Sequence, residues 1–191
     1  MKTLVFSTNN QHKLDEVRSM TGNRFTLKSL MDIGCTEDIP ETGTTFRENA
    51  SQKSRYVNER FGLNCFSDDS GLEVDALNGE PGVYSAHYSG SRDSAENIAL
   101  VLKNLGDQPN RQARFRCVIS LILDGQEHFF EGVAEGKITV QQSGQTGFGY
   151  DPIFIPEGYS KTFAELTPDQ KNSISHRGKA IEKLVDFLLK T

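Results

Sequence analysis

The sequence predicts an α/β or α+β fold with a mixed β-sheet. Three observations point there. Strand-like apolar runs alternate with amphipathic helical patterns along the first half of the chain. Two long β-rich runs meet at Asp124-Gly125, a strong hairpin signal. The 191 residues carry no repeat, no low-complexity tract and no linker, which suits one domain with a substantial core.

The elements follow in order. Residues 2–7, KTLVFS, read as a buried first strand that TNN breaks. Residues 11–21 read as a helix, with Leu14, Val17 and Met20 on one face and Gly22 as its stop. RFTLKSL alternates like a second strand, and GCTEDIPETG is a loop. Thr45 and Glu48 have capping-box spacing and open a helix to about Phe61, closed by Gly62. LNCF reads as the next strand, and GLEVDAL as another. Residues 94–105 form a helix ended by Gly106. After the hairpin comes a Gly-rich loop, SGQTGFGYDPIFIPEG. Thr167-Pro168 is a cap followed by a first-turn proline. A final helix runs from about Ser175 to Lys190, burying Ile181, Leu184, Val185 and Leu188.

Bulk properties exclude several classes. The net charge is -5, so the global basic field that nucleic acid needs is absent. No apolar run approaches the ~20 residues of a spanning helix, and no membrane partner is expected. The N-terminal apolar run is too short for a signal-peptide core, so a cytoplasmic location is expected. Cys35, Cys65 and Cys117 are odd in number and widely spaced, as small core residues in a reducing compartment would be.

Four polar clusters fall in loops or at element ends, where function concentrates. In STNNQHK, a strand leads into a helix N-terminus, whose free N–H groups attract anions. Thr8, Asn10 and Lys13 could hold phosphate there, or Thr8 or Asn9 could simply cap the helix. The glycines of a P-loop are missing. In PETGTTFRENASQK, Glu41 precedes the helix and Lys53 lies within it, and each alone reads as a solvated charge. In SDDSG, Asp68 and Asp69 follow an apolar run at an expected strand end. Adjacent carboxylates repel, so the pair is either a solvated turn or is accompanied by something positive. Mg²⁺ suits such a pair, since it takes one or two carboxylates with water and phosphates. In GFGYDPIF and KNSISHR, aromatics beside glycines accompany Lys171, His176 and Arg177, a set able to stack on a base and bond its edge. Core aromatics and a capping Ser175 are the plainer reading.

Together these are a phosphate grip, metal carboxylates, a base clamp and extra cations. In their long motifs the chain resembles the inosine triphosphate pyrophosphatase family, also called the Ham1 or RdgB type. The motifs are TNNQHK, ETGTTFRENA, DDSGLEVDALNGEPGVYSAHYSG, RQARFRCV, GFGYDPIF and KNSISHRGKA, in order over nearly the whole chain. The resemblance implies an α/β fold, an elongated mixed β-sheet with flanking helices, forming one domain of two lobes around a central nucleotide-binding cleft, and a homodimer. It implies Mg²⁺-dependent cleavage of ITP, dITP or XTP to the monophosphate and pyrophosphate, which keeps deaminated purines out of DNA and RNA. The run Thr8, Asn9, Asn10, Gln11, His12 and Lys13 would meet the substrate, with Lys53 helping to grip the triphosphate. Glu41 and Asp69 would hold Mg²⁺. Asp69 would accept the proton of the attacking water, supported by Asp68 and Ser70. Phe148, Gly149, Tyr150 and Asp151 would bind the base region. Lys171, His176 and Arg177 would contact the nucleotide, the last two near the purine 6-oxo edge. A related pyrophosphatase acting on modified pyrimidines is the alternative that GFGYDPIF and SHR weigh against.

Overall fold

The computed structural model describes residues 2–191. Six strands form one sheet: β1 (Thr3–Phe6), β2 (Thr26–Lys28), β3 (Cys65–Val74), β4 (Gln112–Leu123), β5 (Gln126–Ile138) and β6 (Phe154–Pro156). Their order is β2-β1-β3-β4-β5-β6. β1 is parallel to β2 and to β3, while β5 and β6 are antiparallel, so the sheet is mixed as expected. The helices are α1 (Gln11–Thr21), α2 (Phe46–Phe61), α3 (Ser94–Leu105), α4 (Pro168–Ile174) and α5 (His176–Lys190). The chain divides into two compact units. Among the described residues the first holds 2–69, 117–132 and 178–191, and the second holds 70–116 and 133–177.

In the first unit, strands buried on both faces read as unbroken apolar runs. Leu4 and Phe6 of β1 join a core with α1 and α5, whereas Val5 faces a second core with Val57 of α2. β3 does the same, with Phe66 in the first core and Cys65 in the second. Phe6 and Phe66 stack with ring centroids 4.7 Å apart. The expected stripe of α5 is buried there, through Ile181, Leu184, Val185 and Leu188.

The helix ends obey local chemistry. Thr45 and Glu48 satisfy each other's backbone N–H groups in a complete capping box, and Gly62 closes α2 in the left-handed region. The β4–β5 turn needs positive φ at both central residues, and Asp124 and Gly125 supply +51° and +81°.

The second unit has its own core. Leu72 and Val74 of β3, Ile98, Val101 and Leu105 of α3, and Phe115 of β4 meet Phe154 and Phe163. Glu73 and Arg114 alternate with these apolar positions, and Arg114 joins Asp75 and Glu135 through ion pairs.

Two expectations need correction. LNCF and GLEVDAL are not separate strands. Leu63 is exposed and β3 begins at Cys65, then runs unbroken through the acid pair to Val74. Asp68 and Asp69 thus lie inside a strand rather than in a turn at its end. The Gly-rich loop also contains a strand, β6, which adds to the edge at β5. Gly136 makes room for it, because a Cβ there would meet Phe154 and the carbonyl of Ile155.

Candidate active site

In the first unit the strand period decides where the acids point. Successive residues of β3 face opposite sides. Asp68 turns toward α1, where its Oδ1 accepts a 2.9 Å bond from Lys13 Nζ and its Oδ2 lies 3.8 Å from Cys117 Sγ. Asp69 turns toward α2, where its Oδ2 accepts a 3.1 Å bond from Asn49 and its Oδ1 lies 3.8 Å from Lys53 Nζ. Both acids are buried. Each therefore has its own lysine, which is the positive company that adjacent carboxylates require.

Lys53 is buried rather than solvated, as is the face of α2 that carries Phe46, Ala50 and Val57. Its ammonium pairs with Glu41 and donates a 2.7 Å bond to the Asp68 carbonyl. Burial alone would discourage that charge, but Asp69, Glu41 and Asp68 outweigh it and hold Lys53 above the usual lysine range. Burial pushes the Asp69 carboxyl up, against the pull of Lys53 and Lys13. Glu41 is exposed, and its loop is held by Asn49, whose Oδ1 accepts a 2.8 Å bond from the Gly43 N–H. Asn49 thus ties the Glu41 loop to Asp69. The sequence reading misses it, although its place one helical turn before Lys53 on the same face is the signal that marks it.

The α1 N-terminus differs in detail from the simple reading. Asn10, not Thr8 or Asn9, is the cap: its Oδ1 accepts the Lys13 N–H at 3.2 Å. Thr8 Oγ1 accepts the Asn10 N–H at 3.1 Å, and Gln11 bonds Asp15 at 2.6 Å. Asn9, Asn10, Gln11 and His12 are exposed, and Lys13 reaches inward to Asp68.

The residues expected to meet a base all lie in the second unit or at its end. Phe148 is half-buried between two glycines with φ of +78° (Gly147) and +60° (Gly149). Lys171 Nζ sits 4.8 Å from its ring centroid and the Arg177 guanidinium carbon 5.5 Å. Arg177 is fully buried and donates a 2.9 Å bond to Ser70 Oγ. Asp151 accepts from the Phe148 N–H at 3.0 Å and from Lys171 Nζ at 2.8 Å. A side chain at Gly147 would strike that carboxylate. Tyr150 is a core residue whose hydroxyl donates to the Ser85 carbonyl at 2.7 Å. Tyr150 and Asp151 hold the loop from inside, and Phe148 presents the ring. His176 is buried and stacks on Phe115, with centroids 4.7 Å apart and 12° between the planes.

A family model described as the Ham1 family matches residues 4–187. The chain belongs to the Ham1 family. A Flavobacterium johnsoniae protein named dITP/XTP pyrophosphatase is 52% identical over 189 residues, covering 98% of each chain. A Bacillus subtilis protein of the same name is 45% identical, again over 98% of each. This Ham1 chain also superposes on solved structures. A Ham1 protein from Staphylococcus aureus matches with TM-score 0.91 and 40% identity over 99% of each chain. A HAM1 protein from Coxiella burnetii matches with TM-score 0.92 and 39% identity over 100% of each. The Ham1 assignment covers both units, so both clusters of polar residues fall within the shared fold.

Proposed function

We propose that the protein hydrolyses non-standard purine nucleoside triphosphates, ITP, dITP and XTP, to the monophosphate and pyrophosphate. The observation that carries this is the buried pair Asp68 and Asp69 with a lysine on each and Glu41 beside the second. The names of the homologous proteins support the substrate class.

Cleavage of a phosphoanhydride is mostly positioning and charge neutralisation. Thr8, Asn10, Lys13 and Lys53 grip the triphosphate, with the neighbouring Asn9, Gln11 and His12 lining the same turn. Asp69 accepts the proton of the attacking water, and its burial suits it to that role by raising its basicity. Asp68 anchors Lys13.

Among the described residues no three His, Cys, Asp or Glu side chains converge as a ready-made metal cage. Mg²⁺ needs none, since it takes one or two carboxylates and completes its shell with water and phosphate oxygens. Glu41 and Asp69 fit, being hard oxygen donors that already converge on one ammonium, that of Lys53. A bound Mg²⁺ would supply further neutralisation of the charge on the leaving pyrophosphate.

Phe148 stacks on the base, and His176 and Arg177 donate to its 6-oxo group. Adenine presents a 6-amino donor there, so ATP leaves those donors unmatched, a strong ground for rejection. Among the described residues no helix is long and apolar enough to cross a membrane. A cytoplasmic homodimer that cleanses the nucleotide pool completes the proposal; a monomer by sedimentation would remove its dimer component.

The test is pyrophosphate release from ITP, dITP, XTP, GTP and ATP, each with and without Mg²⁺. Metal-dependent release from the first three alone is expected. Equal release from ATP would discard the base assignment, and release from none would discard the activity.

A further inference from the structure

From its packing we infer that Phe115 is a specificity-determining positioning residue, which sets the plane of His176 and so governs the choice between 6-oxo and 6-amino purines. The inference rests on the reading that His176 faces the 6-oxo edge.

Phe115 and His176 lie nearly parallel, 12° apart, with centroids separated by 4.7 Å. Phe115 is buried, so it acts through the histidine and not on a substrate directly. Its own ring is fixed on its other sides. Phe154 meets it tilted by 66° at 4.7 Å, and Phe163 stacks on it at 5.9 Å. Phe154 and Phe163 also touch each other, 5.1 Å apart, and both are fully buried. Gly136 leaves the space that the Phe154 ring fills, since a Cβ there would come within 2.6 Å of its Cζ. The rings thus form a rigid platform on the sheet, and the imidazole lies flat on it.

A hydrogen bond in the plane of an imidazole is directional and weakens steeply when the ring tilts. Discrimination that depends on a matched polar contact is therefore only as good as the ring's orientation. A leucine at 115 would keep an apolar side chain in the core and remove the flat face. The phosphate chemistry of the first unit does not use that face, and Tm reads separately any loss of core packing.

The experiment compares Phe115→Leu, His176→Ala and the double variant. It reads kcat/KM for ITP and for ATP with Mg²⁺, together with Tm. We expect Phe115→Leu to lower the ITP/ATP ratio about tenfold or more, mainly through ITP. In the His176→Ala background the same substitution should leave the ratio unchanged. A purely structural role would lower both substrates together and leave the ratio intact, and that result overturns the inference. If His176→Ala lowers the ratio and Phe115→Leu does not, the platform is refuted while the base reading stands. If His176→Ala leaves the ratio unchanged, the base reading fails and this inference fails with it.

Discussion

At the scale of single residues, the account turns on how two like charges share one strand. Their alternation sends Asp68 to Lys13 and Asp69 to Lys53, so each has its own counter-charge. Asp69→Asn keeps the size and removes the proposed proton acceptor. We expect kcat to fall by about 10²–10⁴-fold, while titration calorimetry still detects nucleotide binding. Unaltered turnover would exclude Asp69 as the base. A second residue reports on stability. Cys65 donates to the Ser54 carbonyl at 3.1 Å, and burial pushes its thiol up to about 12. In the unfolded chain a thiol releases its proton near ~8.5. The buried neutral thiol therefore contributes stability that is full below about pH 8.5 and is lost progressively as pH rises toward the folded value. Urea unfolding at pH 8, 9 and 10 should show a steeper decline for the parent than for Cys65→Val. The difference in slope should approach, at most, about 1.4 kcal/mol per pH unit. Parallel slopes would contradict the assignment.

At the scale of elements, the capping box of α2 matters because that helix carries Asn49 and Lys53 to Asp69. Thr45→Ala should cost about 1 kcal/mol, lowering Tm by roughly 2–4 °C, as read by calorimetry. No loss would show that the cap contributes nothing. Much of this level was legible from residue pattern alone. Thr45 with Glu48, Gly62, Asp124-Gly125 and Thr167-Pro168 each announce an element boundary through local backbone chemistry, and each boundary stands where it was expected. Other features depend on distant partners. Asp68-Asp69 resembles a turn until Lys13, Lys53 and Asn49 make burial tolerable inside a strand. Residues 154–156 resemble a loop until the free edge of β5 pairs with them. Lys53 resembles a solvated charge until Glu41 is placed against it. Tyr150 reads equally as a base contact or a core aromatic until Ser85 takes its hydroxyl. In the candidate site the sequence reveals residue types and order, while the opposing lysines and the Phe115 platform are tertiary facts.

At the scale of the whole molecule, each of the two units has its own core and its own polar cluster. The acids and lysines that suit a triphosphate belong to the first, and the ring and cations around Phe148 to the second. A nucleotide that binds the folded chain should stabilise it by mass action, about 2.7 kcal/mol at a hundredfold excess over Kd. A non-hydrolysable inosine triphosphate analogue with Mg²⁺ should therefore raise Tm by several degrees, and the matching adenosine analogue by much less. Equal shifts would contradict discrimination at the binding step. The central claim is that the carboxylate and lysine cluster directs cleavage between the α- and β-phosphates. The most direct measurement is ³¹P NMR of the products formed from ITP. The account predicts inosine monophosphate and pyrophosphate in equal amounts; inosine diphosphate with orthophosphate would contradict it.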